Sequence, residues 1–334
     1  MSRVCGPVLR WPVLIAVSVG ISAGCGSGQS TPTQQAPAAE VVSRPAATPD
    51  VLRGERLLAE GKLGEATRVF EKALADDPND ARAWLDIGLA REAAGKFGSA
   101  EKAYRRAIEV DDNFAEAFNN LGVLMRENGK LPEATTMLER AVALDPQLAA
   151  ARFNLGLAYE EQGKLAEAER EYLATIDLLP GDPVPRINLS MMLLDMERPE
   201  DAAVQLRAAR PLVRGDVLLC MAVGEGFRRS ALPEEAVSVL RTALSQAADP
   251  PPTELLAELA LSYYAMGDLE AAESTMRRAV GQNELDPALQ YAYGSILAKQ
   301  GQLGKARAHL RRAAKLDPDG PYADRARARL ETLK

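Results

Sequence analysis

The sequence predicts an all-α solenoid of eight stacked helix-turn-helix units followed by a capping helix. Alanine returns in helical register every 34 residues, with one interval of 36. The recurring alanines are Ala66, Ala100, Ala134, Ala168, Ala202, Ala236, Ala272 and Ala306. A fixed period of this size is typical of repeats that can bury their apolar faces only against their neighbours. The period therefore predicts the fold class before any single helix is considered.

Each unit is predicted to contain two helices. Glycine at position 15 of most units ends the first helix, and proline near position 32 stops the second because it cannot continue the hydrogen-bond ladder. The predicted units are 47–80, 81–114, 115–148, 149–182, 183–216, 217–252, 253–286 and 287–320. Residues 321–334 are predicted to form a capping helix with a polar outer face, which a solenoid needs for solubility.

The repeat resembles the tetratricopeptide family. The run from Trp84 to Gly88, followed by Ala100 and Tyr104, is similar to the family pattern W-x2-L-G-x2-Y…A-x3-F. The units that begin at Ala115 and Ala149 match it as well. The resemblance implies a right-handed α-solenoid whose first helices line a concave groove, with positions 2, 5, 6, 9, 12 and 13 of each unit facing it.

Two places depart from the repeat. The turn glycine is missing around residues 196–199, and residues 249–252 carry the two-residue insertion. The helix before that insertion contains Gly224 and Gly226, and glycine in a helix costs about 1 kcal/mol relative to alanine. These features have two interpretations, which are drift of the repeat and a hinge between the first six units and the last two.

The N-terminus predicts an exported lipoprotein. Arg3 and Arg10 precede an apolar run from Trp11 to Ile21, which is the pattern of a secretory signal peptide. The following residues, Ser22 to Cys25, resemble a bacterial lipobox, although leucine is more usual at the place of Ser22. Residues 1–24 are therefore predicted to be cleaved and Cys25 to be lipidated. An ordinary secreted protein and an uncleaved anchor are the alternatives.

Residues 25–46 are predicted to form a lipidated, disordered tether, since they are rich in Pro, Ser, Gln and Ala without apolar periodicity. Two or more acyl chains on Cys25 would hold the protein firmly on a membrane. The predicted location is the periplasmic side of a bacterial envelope. Gly26 stands where an aspartate is associated with inner-membrane retention, which favours the outer membrane over the inner one.

The sequence offers little for catalysis. It has one histidine, His309, and no phosphate-binding loop, metal-ligand motif or nucleophile elbow. Cys220 occupies a packing position and is interpreted as a core residue. The net charge of −7 argues against nucleic-acid binding. We predict a protein that is not an enzyme and needs no cofactor, metal or small-molecule substrate.

The groove is predicted to bind a protein or peptide. Asparagine recurs at position 6 in three consecutive units, and a row of carboxamides can pair with the backbone of an extended peptide. The predicted groove residues are Asn120, Asn154, Asn188, Phe153, Leu157, Ile187, Met191, Glu127, Glu160 and Arg228. The alternative is that asparagine is simply common at this position of the repeat and that some of the apolar residues pack between helices.

Two functions remain open on this basis. The first is a lipid-anchored periplasmic scaffold that holds a peptide or helix of an envelope protein in the groove. The second is a regulatory or targeting subunit of a cell-wall enzyme, or of a pilus or secretin assembly complex, which uses the convex face or the basic C-terminus. From Lys299 to the end, basic residues outnumber acidic ones ten to four.

Overall fold

A computed structural model describes residues 47–333 of the chain. The predicted signal peptide, Cys25 and the tether lie outside the described residues. Within 47–333 the structure contains seventeen α-helices and no strand. None of these seventeen helices combines the length and the apolar character needed to span a bilayer. The predicted all-α fold class is confirmed.

The helices follow one another with short turns and form consecutive hairpins. Their bounds are α1 Pro49–Ala59, α2 Leu63–Asp76, α3 Ala81–Ala93, α4 Phe97–Val110, α5 Ala115–Glu127, α6 Leu131–Leu144, α7 Ala149–Glu161, α8 Leu165–Leu178, α9 Val184–Asp195, α10 Pro199–Ala209, α11 Val217–Arg229, α12 Pro233–Gln246, α13 Thr253–Met266, α14 Leu269–Gln282, α15 Pro287–Lys299, α16 Leu303–Leu316 and α17 Pro321–Thr332.

The described helices fall into two compact units, which we call the N-terminal unit (47–180) and the C-terminal unit (181–333). In the N-terminal unit, α1 to α8 pair as four hairpins around buried side chains such as Phe70 and Tyr104. In the C-terminal unit, α9 to α16 form four more hairpins, and α17 packs on α16 and α15 through Ala323 and Ala326. The division falls at Pro180, whereas the sequence placed a possible hinge at residues 249–252.

The turn inside each hairpin requires one residue in the left-handed region. Six units supply glycine there, with φ between 71° and 92°. In the two units without that glycine, Glu197 (φ 57°) and Ala231 (φ 58°) adopt the same conformation. The turn is therefore retained where the sequence pattern departs from the repeat, at the strain that a side chain adds in this region.

The small residue at position 8 makes room for the large residue at position 24 of the same hairpin. A Cβ added to Gly88 would lie 2.3 Å from Cε1 of Tyr104, and one added to Gly224 would lie 2.5 Å from Cγ of Leu240. Gly226 faces Leu206 of the preceding hairpin in the same way, at 2.7 Å from Cδ2. The two glycines of α11 thus permit close helix packing in addition to lowering helix propensity.

We expect Gly88→Ala to lower the free energy of unfolding by about 2 kcal/mol, because overpacking of a filled core typically costs about 1–3 kcal/mol. Gly98→Ala in α4 is the matched control. No atom lies within 4 Å of a Cβ added to Gly98, so this change near the start of α4 is expected to stabilise the helix by at most about 0.5–1 kcal/mol, the value for a helix interior. Urea unfolding followed by circular dichroism measures both. Equal effects of the two substitutions would contradict the packing argument.

Candidate functional site

The first helices of the N-terminal unit carry a chain of side-chain amides. Nδ2 of Asn154 on α7 donates to Oδ1 of Asn119 on α5 at 2.9 Å, and Nδ2 of Asn119 donates to Oδ1 of Asn120 at 3.0 Å. Asn120 and Asn154 are half-buried, while Asn119 is buried. This row of amides has an NH2 donor group left at Asn120 and an acceptor oxygen left at Asn154. A peptide backbone can pair with both groups. Asn119, which connects them, is not among the groove residues that the repeat predicts.

The third predicted asparagine has a different environment. Asn188, in the C-terminal unit, is 8% exposed, and its Nδ2 donates to the carbonyl oxygen of Val184 at 3.0 Å. That bond lies within α9, so the donor group of Asn188 is used by its own helix. The structure therefore brings Asn120 and Asn154 together at a partly accessible surface and places Asn188 in the interior.

Most of the apolar residues that were predicted to line the groove belong to the hydrophobic core. Phe153, Leu157 and Ile187 are buried, with exposures of 7%, 2% and 2%. The ring of Phe153 lies 5.8 Å from that of Tyr172, centroid to centroid. Met191 is half-buried, and its sulfur lies 3.7 Å from Nη1 of Arg229. The alternative interpretation, packing between helices, describes the first three residues, and Met191 alone of the four reaches the surface.

The two glutamates that were predicted to line the groove also differ in their environments. Glu127 is exposed, whereas Glu160 accepts a hydrogen bond of 2.5 Å from the hydroxyl of Tyr172 in its own hairpin. The equivalent pair, Tyr104 to Glu92, measures 2.6 Å. Burial raises the pKa of both tyrosines, and the negative charge of the paired glutamate raises it further.

This tyrosine–glutamate pair was not recognised in the sequence, although a signal exists. Tyrosine at position 24 occurs with glutamate at position 12 in both hairpins, while Phe70 at position 24 occurs with Leu58 at position 12. A hydroxyl buried at position 24 needs an acceptor, and the side chain at position 12 supplies it. The pairing thus makes Glu160 a packing partner within its hairpin as well as a surface carboxylate.

A buried charge cluster lies on α11 and α13 of the C-terminal unit. The guanidinium of Arg228 binds the carboxylate of Glu258 through two bonds, from Nε to Oε1 and from Nη2 to Oε2, the second at 3.3 Å. The Arg228 and Glu258 side chains are only 13% and 4% exposed. Glu225, one turn before Arg228, is also buried. Arg228, predicted to line the groove, is therefore the cation of a buried ion pair.

The cluster contains more negative than positive charge. Burial raises the pKa of Glu225 to about 7, and the negative charge of Glu258 acts in the same direction. The positive charges of Arg228 and Arg229 oppose this rise, whereas the negative charge of Asp195 adds to it. Arg229 pairs with Asp195 across α11 and α9 at 2.6 Å, with the Asp195 side chain 53% exposed. The carboxyl of Glu225 can therefore change protonation near neutral pH.

The single histidine and the buried cysteine have structural environments. Nδ1 of His309 lies 2.7 Å from Oε1 of Gln290, and its ring lies 4.4 Å from that of Tyr293. Cys220 is 1% exposed, and its thiol donates to the carbonyl oxygen of Val213 at 3.2 Å. Burial lowers the pKa of His309 and raises that of Cys220. Cys220 is therefore shielded from solvent, and His309 is half-buried against Gln290 and Tyr293.

Comparison with protein families finds the repeat along most of the described chain. Family models for the tetratricopeptide repeat match residues 57–121, 120–183 and 257–321. Together these ranges cover more than half of the sequence. No curated protein matches the chain.

Solved structures share the fold at low identity. PilW, a type IV pilus biogenesis factor, is 19% identical with a TM-score of 0.55, over 62% of this chain and 94% of that one. PilF of Pseudomonas aeruginosa is 20% identical with a TM-score of 0.54, over 62% and 93%. A tetratricopeptide repeat protein of Parabacteroides merdae is 16% identical with a TM-score of 0.54, over 76% and 98%.

Proposed function

The chain belongs to the tetratricopeptide repeat family, and from this premise we propose that it is a non-enzymatic scaffold that holds a segment of a protein partner on its first helices. The observation that supports this most directly is the amide chain from Asn154 through Asn119 to Asn120. Its ends offer one donor group and one acceptor, which match the two groups of a peptide unit. Such pairing is independent of side-chain sequence, so it suits an extended segment.

The proposed setting is the periplasmic face of a bacterial outer membrane, with the protein held by lipid on Cys25. The basis is the sequence pattern of residues 1–25. The proposed partner is therefore an envelope protein. No nucleic acid, cofactor or small-molecule substrate is part of this proposal.

We expect Asn120→Ala with Asn154→Ala to weaken partner binding about tenfold or more, since two lost hydrogen bonds at about 0.5–1.5 kcal/mol each correspond to that factor. The measurement is crosslinking in intact envelopes followed by quantification of recovered partners. Asn79→Ala with Asn113→Ala is the matched control, because both asparagines are exposed in turns. Full recovery of every partner by the first double variant would contradict the role of the amide chain.

We expect Cys25→Ala to move the protein from the membrane fraction to the soluble periplasmic fraction. Two acyl chains hold a protein firmly, and this variant would carry none. Cys5→Ala in the predicted signal peptide is the control and is expected to leave fractionation unchanged. A Cys25→Ala protein that still sediments with membranes would exclude the lipoprotein proposal while leaving the scaffold proposal intact.

The second candidate is a regulatory or targeting subunit of a cell-wall enzyme, or of a pilus or secretin assembly complex. Its support is that PilW, which shares the fold, is a type IV pilus biogenesis factor. In that case the basic residues of α16 are expected to carry the contact. Arg311→Glu with Lys315→Glu would then remove the partner that the asparagine double variant retains.

A further inference from the structure

Three tyrosines from three different helices come together at the C-terminal end of the C-terminal unit. Tyr264 lies on α13, Tyr291 on α15 and Tyr322 on α17. The rings of Tyr291 and Tyr322 lie 6.0 Å apart at an interplanar angle of 48°. The hydroxyl of Tyr291 also contributes to raising the pKa of Tyr264 and of Tyr322. All three side chains are half-buried. We call this set the tyrosine platform.

The platform lies on the first-helix face. Tyr264 stands at position 12 of its unit and Tyr291 at position 5, both of which are groove positions in the repeat. Tyr322 is the second residue of α17, which follows α15 after one further period and takes the place of a ninth first helix. Tyr264 and Tyr322 pack against the buried cluster around Leu297, and Tyr291 packs against the cluster of Leu310, Ala313 and Ala326. Each of the three half-buried side chains leaves part of its surface accessible.

Three cations border the platform. Nζ of Lys299 lies 4.3 Å from the ring centroid of Tyr264, and the guanidinium of Arg325 lies 5.5 Å from that of Tyr322. The positive charge of Arg329 partly offsets the rise that burial causes in the pKa of Tyr264. The negative charge of Asp286 raises the pKa of Tyr322. Its Oδ1 is already used as the N-cap of α15, where it accepts from the backbone N–H of Ala288 at 2.7 Å.

We propose that the tyrosine platform binds an extended acidic segment of the partner protein. Aromatic rings and guanidinium groups are the side chains that most often dominate binding energy at protein interfaces. Carboxylates of the segment would pair with Lys299, Arg325 and Arg329, and its apolar atoms would lie on the three rings. The proposal rests on the scaffold function above and adds the chemistry of the segment and its place, which is separate from the amide chain of the N-terminal unit.

Charge complementarity favours an acidic peptide over other occupants. The rings and cations stand together on α13, α15 and α17, on the face where the proposed function places a protein segment, and an extended chain can use both. Anionic lipid headgroups would use the same charges, and tyrosine rings also suit a membrane interface. The membrane is therefore the alternative outcome of the test.

The experiment selects random dodecapeptides on phage against the full-length protein, purified in detergent. We expect the recovered peptides to be enriched in Asp and Glu. We also expect Lys299→Glu with Arg329→Glu to weaken their binding about tenfold in fluorescence anisotropy, because reversing both charges removes two attractions and adds two repulsions. Lys102→Glu with Arg106→Glu changes the net charge equally at two exposed positions of α4, a second helix of the N-terminal unit, and is expected to change affinity less than about twofold.

Each other outcome has a defined meaning. Recovered peptides without acidic enrichment, or acidic peptides equally weakened by both double variants, would overturn the platform proposal and leave the scaffold function standing. If no peptide binds, the platform proposal is overturned, and the scaffold function is decided by crosslinking of the Asn120 and Asn154 variants. Binding of phosphatidylglycerol vesicles that only the Lys299/Arg329 variant loses, without peptide binding, would assign the platform to a membrane. Lys299→Gln with Arg329→Gln gives a milder variant if circular dichroism shows that the charge reversal unfolds the protein.

Discussion

Replacing Arg228 by alanine is expected to lower the free energy of unfolding by about 3–5 kcal/mol, the usual cost of removing one partner of a buried ion pair. The Glu258 side chain is 4% exposed and loses both of its hydrogen bonds to the guanidinium. Glu225 would then stand beside a second buried carboxylate without the compensating cation. The measurement is urea unfolding at neutral pH, followed by circular dichroism.

Arg229→Ala is the matched control for this prediction. Arg229 is adjacent in sequence, and its partner Asp195 has a side chain that is 53% exposed. Solvent weakens such a pair, so the expected loss is below about 1 kcal/mol. Glu258→Leu combined with Arg228→Met should recover most of the stability, because a buried ion pair can be replaced by apolar side chains of similar volume at little cost. Equal losses for Arg228→Ala and Arg229→Ala would contradict the assignment of Arg228 to the interior.

Replacing Glu225 by glutamine is expected to stabilise the protein, and the gain should depend on pH. The folded protein holds the pKa of Glu225 at about 7, above the ordinary value of 4.5. The folded state therefore binds this proton more tightly than the unfolded state, and the free energy of unfolding falls as pH rises between those two values. Glutamine removes that loss. A shift of this size corresponds to at most about 3 kcal/mol above neutral pH.

The measurement is the difference in unfolding free energy between Glu225→Gln and the unmodified protein across a pH series. We expect no difference below pH 4.5 and an increasing one towards pH 7. Glu127→Gln is the control, because Glu127 lies exposed on α5 and its replacement should change the free energy of unfolding little. A constant difference for Glu225→Gln across the series would show that packing, and not protonation, distinguishes the variant.

These two expectations affect how the groove can be tested. Arg228 stands at position 12, where the repeat predicts a groove residue, so charge reversal there is the binding experiment that the sequence suggests. The ion pair with Glu258 makes such a variant a test of folding instead. Variants of Asn120, Asn154, Lys299 and Arg329 avoid this problem, because each of these side chains is exposed or half-buried.

The fold was predictable because the repeat encodes it redundantly. A small residue at position 8, a left-handed residue at position 15 and a large apolar residue at position 24 recur in every hairpin, so the loss of one signal leaves the others. Ala231 illustrates this point. It replaces the expected glycine, yet α11 and α12 form the same hairpin with the same turn conformation.

The site was predictable only in part, because a period identifies a face of a helix and not the depth of each side chain. Asn154 and Asn188 occupy the same position of consecutive units, but Asn154 bonds to Asn119 while Asn188 bonds to its own helix. The difference depends on the neighbouring side chains and on the exact rotation of each helix. The tyrosine platform was missed because its members stand at three different positions of the repeat, where no regular row appears.

The pairing of position 8 with position 24 has an evolutionary consequence. Gly88 and Tyr104 belong to one hairpin, as do Tyr104 and Glu92, so the side chains that must change together are inherited together. Duplication or loss of a whole hairpin keeps the residue at position 8 with its packing partner at position 24. A recombination point between the two helices of a hairpin separates these two residues. Chains of this kind are therefore expected to lengthen and shorten by entire hairpins, and a binding surface can grow without redesign of the core.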